Sequence, residues 1–385
     1  MTEKGEKALL PAGMVDLLPP EAAQESAAIS RILDLFSACG YQRVKPPMLE
    51  FEETLFDGAG AALSQQTFRL MDPLSQRMMG LRADMTTQVV RIAATRLSGE
   101  PRPLRLCYAG QVLRVKGNQL RNDRQIAQVG AELIGSESSG ADAEIIALAA
   151  SALEKIGVTR LSVDIALPTL VPAIARTLGL SPSESADLRE ALDRKDAAAV
   201  KAISKEHGKL LSALLRAAGP VERAVAALSR LTVPEDAQEE LERLLAVVER
   251  LRELKPDLRI TVDPTEHRGF EYQTGVSFAF FARGVRGELG RGGRYAARAA
   301  GGCFEPATGV TLYMDSLLRA LPEPDAPSRV YLPAGHDPKI ATALREKGFV
   351  TLAGHDPVEE DRKEARRMAC DYWLSGETLR KVEEN

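Results

Sequence analysis

The stretch from His267 to Arg298, HRGFEYQTGVSFAFFARGVRGELGRGGRYAAR, constrains the chain more than any other. Phe270, Tyr272, Thr274, Val276, Phe278 and Phe280 share one parity, while Glu271, Gln273, Gly275 and Ser277 share the other. That period of two predicts a strand with one packed face and one small, polar face. A turn at Arg283 to Gly287 leads into a return strand that carries Gly290, Gly292 and Gly293 ahead of Arg294 and Tyr295. Glycine inside a strand weakens it unless a bulge or a close approach to the backbone requires it. Two readings stay open from this stretch alone: a floor approached by a ligand's polar groups, or a hairpin whose glycines only form bulges.

The chain around this hairpin is 385 residues long, enough for two or three domains. Its formal charge of -4 offers no excess of cations for a phosphate backbone, so nucleic acid is not an expected partner. Cys39, Cys107, Cys303 and Cys370 form no CxxC pair, which argues against a structural zinc site and fits a reducing compartment. The start MTEKGEKALLPAG lacks an apolar signal region, and no apolar run approaches a membrane span. The expected address is cytoplasmic, with no membrane partner, no metal and no cofactor.

Taken in order, paired prolines precede a helix in which Ile29, Ile32, Leu33 and Phe36 recur at helical spacing until Gly40. The strand Tyr41 to Val44 runs into Pro46 and Pro47, which marks an edge position. Phe68 to Leu70 and Arg77 to Leu81 flank Asp72-Pro73 as a hairpin. In LRADMTTQVVRIAATRL, Asp84, Thr86 and Thr87 stand before a helix; they can cap it, and a carboxylate beside a hydroxyl can also receive an ammonium group. Two alternating strands follow in LRLCYAGQVLRV and RQIAQVGAELIG, with Arg114 on the face of the first opposite Leu113 and Val115, and Gln128, Gly130 and Glu132 on one parity of the second. Residues 167–255 lose β-propensity and read as a helical insertion, since Leu241, Leu244, Leu245, Val248, Leu251 and Leu254 share a helix face. After the hairpin come the strand Gly309 to Tyr313, a short helix from Asp315 to Leu321, and a Pro-rich linker from Pro322 to Pro327. Residues 328–385 alternate short strands with charged helices as a small α/β tail.

In this order the motifs resemble the class II aminoacyl-tRNA synthetase core, and within it the histidine–tRNA ligase family. LPAGMVDLLPPE with VKPPMLE is similar to that family's first motif, FRL and RVKGNQLRNDRQIAQVGAE to the elements around its second, and RGFEYQTG and GRGGRY to its two histidine-specific segments. The resemblance spans roughly Pro11 to Ala166 and Pro256 to Leu321. It implies an α+β fold: an antiparallel sheet flanked by helices over 1–166 and 256–322, interrupted by the insertion and followed by the tail. It also implies dimerisation through the first-motif region and a histidine pocket built from Asp84, Thr86, Arg114, Gln128, Glu132, Arg268, Tyr272 and Gln273. Those residue types suit a zwitterion with a polar ring, which needs an anion for its ammonium, cations for its carboxylate and polar partners for its ring nitrogens.

The departures from the synthetase pattern matter as much. In GVTLYMDSLL, Ser316 occupies the position of an arginine that the family lays against ATP, and Tyr313 stands where the family prefers glycine. Lys116 replaces a second-motif carboxylate, Gln273 replaces a tyrosine, and the tail is short for an anticodon-binding domain. Losing a charged hydrogen bond alone costs about 1.5–3 kcal/mol, so adenylation is not expected. A synthetase-like core with a retained amino-acid pocket and an impaired ATP site is similar to the regulatory subunits of ATP phosphoribosyltransferase. That resemblance implies no catalytic residues of its own, a short-form catalytic subunit as partner and histidine as effector. A divergent histidine–tRNA ligase and a stand-alone histidine-binding module are the alternatives.

Overall fold

The computed structural model describes residues 10–56, 63–117, 123–203, 208–266, 273–299, 302–324 and 326–383. Two of the pocket residues expected from the sequence, Arg268 and Tyr272, lie outside the described residues. The chain divides into two units, Met1–Pro322 and Glu323–Asn385.

The first unit begins with α1 (Glu21–Ala38), β1 (Gln42–Arg43), β2 (Leu49–Phe51), the single turn α2 (Glu52–Leu55), β3 (Arg69–Met71) and β4 (Met78–Leu81). Then come α3 (Thr86–Thr95), β5 (Leu104–Leu113), β6 (Gln125–Ile134), α4 (Ser139–Ile156) and β7 (Leu161–Ala166). The helical stretch holds α5 (Leu170–Thr177), α6 (Pro182–Asp193), α7 (Ala197–Ile203), α8 (Gly208–Ala217), the two-residue β8 (Gly219–Pro220), α9 (Val221–Leu228) and α10 (Glu235–Leu254). It closes with β9 (Arg259–Asp263), β10 (Gln273–Ala282), β11 (Gly290–Arg298), β12 (Phe304–Tyr313) and α11 (Met314–Ala320).

Nine of these strands form one sheet in the order β1-β5-β6-β12-β11-β10-β7-β9-β8. Pairing is antiparallel except at β1 with β5 and β7 with β9. β1 sits at an edge, where the Pro46-Pro47 pair that follows it interrupts no ladder. A separate small sheet, β2-β4-β3, carries the hairpin around Asp72.

The strands alternate between two apolar layers. On the far face Val129, Ala131, Leu133, Ile165, Phe278, Phe280 and Val310 pack with α1, α4 and α8 to α10 in the main core. Removing such side chains from water is what offsets the entropy of ordering the chain, at about 1.5–3 kcal/mol for each large one. On the near face Leu106, Tyr108, Ile126, Tyr295 and Ala307 pack with Met85, Val89 and Ala93 at and along α3. Local signals set the helix starts: the Ser138 side chain accepts from Gly140 N at 3.1 Å before α4, and Ser181 with Glu184 forms a capping box before α6.

The focal hairpin corrects the simple alternation. The pairing register shifts by two residues between Gln273 and Ser277, so the regular ladder is interrupted within the run Thr274-Val276-Phe278-Phe280. Val276, Phe278 and Phe280 are buried, whereas Thr274 is exposed. A bulge is the physical reason, because it lets the strand bend while keeping its apolar half in the core.

The second unit is a four-stranded sheet, ordered β14 (Val350–Ala353), β13 (Arg329–Leu332), β15 (Tyr372–Ser375), β16 (Thr378–Lys381), with α12 (Pro338–Glu346) and α13 (Asp361–Arg367) as crossovers. Val330 and Leu332 face one cluster with Leu344, while Tyr331 faces another with Ala365. The final strand β16 is an addition to the strands read from the sequence. The chain's one tryptophan, Trp373, lies on β15 of this unit. Among the described residues, no helix is long and apolar enough to cross a membrane.

Candidate functional site

The near face of β6, β12 and β11 forms a small pocket beside the start of α3. Asp84, Thr86, Glu132 and Gln273 line it, together with Tyr295 and Thr311. Strand pairing places the rows: Glu132 lies opposite Gly309 and Gly309 opposite Gly293, one row from Gly130, Thr311 and Arg291.

Asp84 is held from two sides. Its Oδ1 accepts from Thr86 N at 2.9 Å, and its Oδ2 accepts from Gln128 Nε2 at 2.9 Å. Gln128 is fully buried and its Oε1 accepts from Met85 N at 3.2 Å, so it supports Asp84 from beneath the pocket. The carboxylate thus has a fixed orientation and oxygen lone pairs to spare for a cationic donor.

Glu132 is the buried centre. Tyr295 donates to its Oε2 at 2.8 Å and Tyr108 to its Oε1 at 3.2 Å. The Tyr108 hydroxyl also contacts Thr311 Oγ1 at 2.9 Å and Thr86 Oγ1 at 3.3 Å, which joins the α3 start to β5, β6 and β12. Burial pushes the Glu132 carboxyl up to about 8, against the opposing pull of the Tyr295 and Thr86 hydroxyls. Burial likewise drives the Tyr108 phenol well above its ordinary range, with Glu132 and Asp84 adding to the effect. Near neutral pH the pocket therefore pairs an oriented anion, Asp84, with a carboxyl able to donate or accept, which suits a ring bearing both kinds of nitrogen.

The raised Glu132 carboxyl has a consequence for stability. It titrates near 4.5 in the unfolded chain and near 8 in the folded one. Between those values the folded state binds the proton that the unfolded state has released, so this group's contribution to stability falls as pH rises from 4.5 to 8. Urea midpoints of the ligand-free chain measured across that window should decline more steeply for the wild type than for Glu132→Gln. Parallel slopes for the two proteins would show that Glu132 is ionised throughout.

Two glycines explain why the return strand and its neighbour are bare here. A Cβ on Gly309 would lie 1.7 Å from Glu132 Oε2, and one on Gly293, at φ +157°, would lie 2.6 Å from Gln273 Nε2. The glycines thus clear space for the protein's own polar side chains to lie flat on the sheet. Gln273 Nε2 donates to Gly292 O at 3.2 Å, and its buried Oε1 has no hydrogen-bond partner among the described residues. An orphaned buried acceptor at a pocket wall is a place for a ligand donor.

Arg114 does not line this pocket; its Nε donates to Ala83 O at 3.2 Å, bracing the backbone just before Asp84. Lys116 is exposed. Arg294 of the return strand turns away to the far face, where it is 2% exposed. There it pairs with Asp142 at 2.9 Å and donates to Ser136 O and Ser138 O, clamping the start of α4. Tyr108 and Thr311 have no role in the sequence-based expectation, where the parity they share with Gly110 and Gly309 is their signal, and Tyr295 enters it only as the end of the GRGGRY segment. On α11, Ser316 is fully buried and accepts from Arg319 Nη2 at 3.0 Å.

Comparison with known proteins gives a consistent set of likenesses. A family model described as histidyl-tRNA synthetase matches residues 13–317. A protein from Paramagnetospirillum magneticum named ATP phosphoribosyltransferase regulatory subunit is 53% identical over 100% of both chains. One of the same name from Gluconobacter oxydans is 45% identical, covering 97% of this chain and 98% of its own. Among solved structures, an ATP phosphoribosyltransferase regulatory subunit/histidyl-tRNA synthetase from Bacillus halodurans superposes with a TM-score of 0.78 at 25% identity, covering 95% of this chain and 97% of the other. A histidyl-tRNA synthetase from Nostoc shares the fold, with a TM-score of 0.78 at 18% identity over 98% of this chain and 95% of its own.

Proposed function

Because this chain belongs to the ATP phosphoribosyltransferase regulatory subunit family, with a class II synthetase-like α+β fold, we propose that its pocket binds histidine as the signal for feedback inhibition. Its role is regulatory, in histidine biosynthesis, and it is not itself the catalytic enzyme. The partner is a catalytic ATP phosphoribosyltransferase subunit of the short form, which this chain activates.

The observation that carries the effector reading is the contrast between two parts of one sheet. The amino-acid side keeps an oriented Asp84, a buried Glu132 and a Gln273 oxygen without a partner among the described residues. The nucleotide side has the buried Ser316 and the exposed Lys116 where a synthetase carries groups for ATP. In this reading Asp84 takes the ligand's ammonium, and Glu132, Tyr295 and Gln273 meet its ring. Arg114 steadies the Asp84 backbone, and Arg268 and Tyr272 are further candidates by resemblance alone, since both lie outside the described residues.

Inhibition requires histidine to bind the inhibited assembly more tightly than the active one, since equal affinity shifts no equilibrium. Self-association through the first-motif region is part of the proposal. Val15, Leu17, Leu18 and Met48 are exposed apolar side chains there, and covering them would stabilise a dimer. The free thiols of Cys39 and Cys303 accord with a cytoplasmic address.

Co-expression with a short catalytic subunit tests the whole reading. A complex of defined mass should form, its phosphoribosyl transfer should exceed that of the catalytic subunit alone, and added histidine should suppress it. A catalytic subunit equally active with and without this chain would refute the regulatory partnership. Histidine-dependent exchange of pyrophosphate with ATP by the chain alone would favour a working histidine–tRNA ligase instead.

A further inference from the structure

The near face of the nine-stranded sheet is unevenly covered. Over β5, β6 and β12 it is packed by α3 and its apolar cluster. Over β10, β7 and β9 the described residues leave a groove of about 400 Å³. Pairing fixes what projects into it: Ala279 lies opposite Asp164, Phe281 two residues along opposite Ser162, and Asp164 opposite Thr261.

The lining is negative. Among the described lining residues, Asp164, Asp263, Glu266 and Glu288 contribute carboxylates and Arg291 a cation. Two cations beyond the lining, Lys195 on Asp263 at 2.5 Å and Arg259 beside Asp164, offset part of that charge. The floor is apolar, with Ala279 and the half-buried ring of Phe281. A carboxylate rim over an aromatic and methyl floor matches an arginine or lysine side chain, whose stem lies on apolar surface while its head meets the anions.

The geometry points to this groove as the docking surface for a basic segment of the catalytic subunit. The inference rests on the regulatory reading above and names the surface that reading leaves unassigned. Arg291 gives the docking surface a link to the effector pocket. It lines both, and it pairs with Glu288 at 3.2 Å on the groove side. A partner cation that drew Glu288 towards itself would change the surroundings of a pocket side chain, so assembly and effector binding would be coupled in both directions.

The test uses the full chain, its co-expressed catalytic subunit and three substitutions away from the histidine pocket: Asp164→Lys, Phe281→Arg and the nearly isosteric Asp164→Asn. Assembly affinity is measured by titration, and histidine binding to the regulatory chain alone serves as the control for folding. The two cationic variants should assemble about tenfold to a hundredfold more weakly, because like charges face each other across the contact. Asp164→Asn should assemble more weakly by a smaller factor, and the wild-type complex should loosen as salt is raised. Variants that bind histidine normally and assemble with wild-type affinity would overturn the docking surface. A wild-type chain that does not assemble at all would instead remove the regulatory reading beneath it.

Discussion

Arg294→Ala will destabilise the first unit by about 3–5 kcal/mol, the usual cost of leaving one partner of a buried ion pair uncompensated. Arg294 and Asp142 are 2% and 1% exposed, and the guanidinium also satisfies Ser136 O and Ser138 O, so one substitution orphans a carboxylate and two carbonyls. The double replacement Arg294→Met with Asp142→Leu should recover most of the loss, because apolar groups of similar volume need no partners. Urea unfolding followed by far-ultraviolet circular dichroism reads both. A single variant within about 1 kcal/mol of wild type would mean that the pair is not desolvated in solution. Histidine affinity should stay unchanged in the double variant, since the pair lies on the face opposite the pocket.

Asp84→Ala should weaken histidine binding by about ten- to a hundredfold, the loss of one charge-assisted hydrogen bond to the ligand's ammonium. Asp84→Asn should lose nearly as much, although it retains an oxygen for Thr86 N, because the ammonium is recognised by charge. Urea unfolding of each variant separates these outcomes from loss of the fold, because Asp84→Ala removes the bond to Thr86 N, about 1 kcal/mol at the start of α3, and leaves the buried Gln128 Nε2 without its acceptor, about 1–3 kcal/mol more. Unchanged affinity in both variants would move the effector site elsewhere on the molecule.

What could be read from the sequence followed the range over which each signal acts. Alternation along β5, β6 and β12 and helical spacing along α4 and α10 depend on neighbours a few residues away, and these elements stand where their periods indicate. Asp84 and Glu132 were reachable through motif order, and the pocket brings them together. The role of Arg294 was not reachable, because its partner Asp142 is 152 positions away on a helix behind the sheet. The Tyr108 contact with Thr311 spans 203 positions and depends on strand order, which local pattern does not encode. The register shift after Gln273 escaped notice for a related reason. A bulge is a property of a strand pair, and either strand alone keeps its regular period.

The location of Trp373 gives the chain a built-in optical division. The tryptophan belongs to the Glu323–Asn385 unit, whereas Met1–Pro322 contains none. Indole fluorescence will therefore follow the melting of the small unit alone, while circular dichroism is weighted towards the larger one. Transitions that coincide by both probes would establish that the units unfold as one cooperative block, and separated transitions would give each its own stability without cutting the chain.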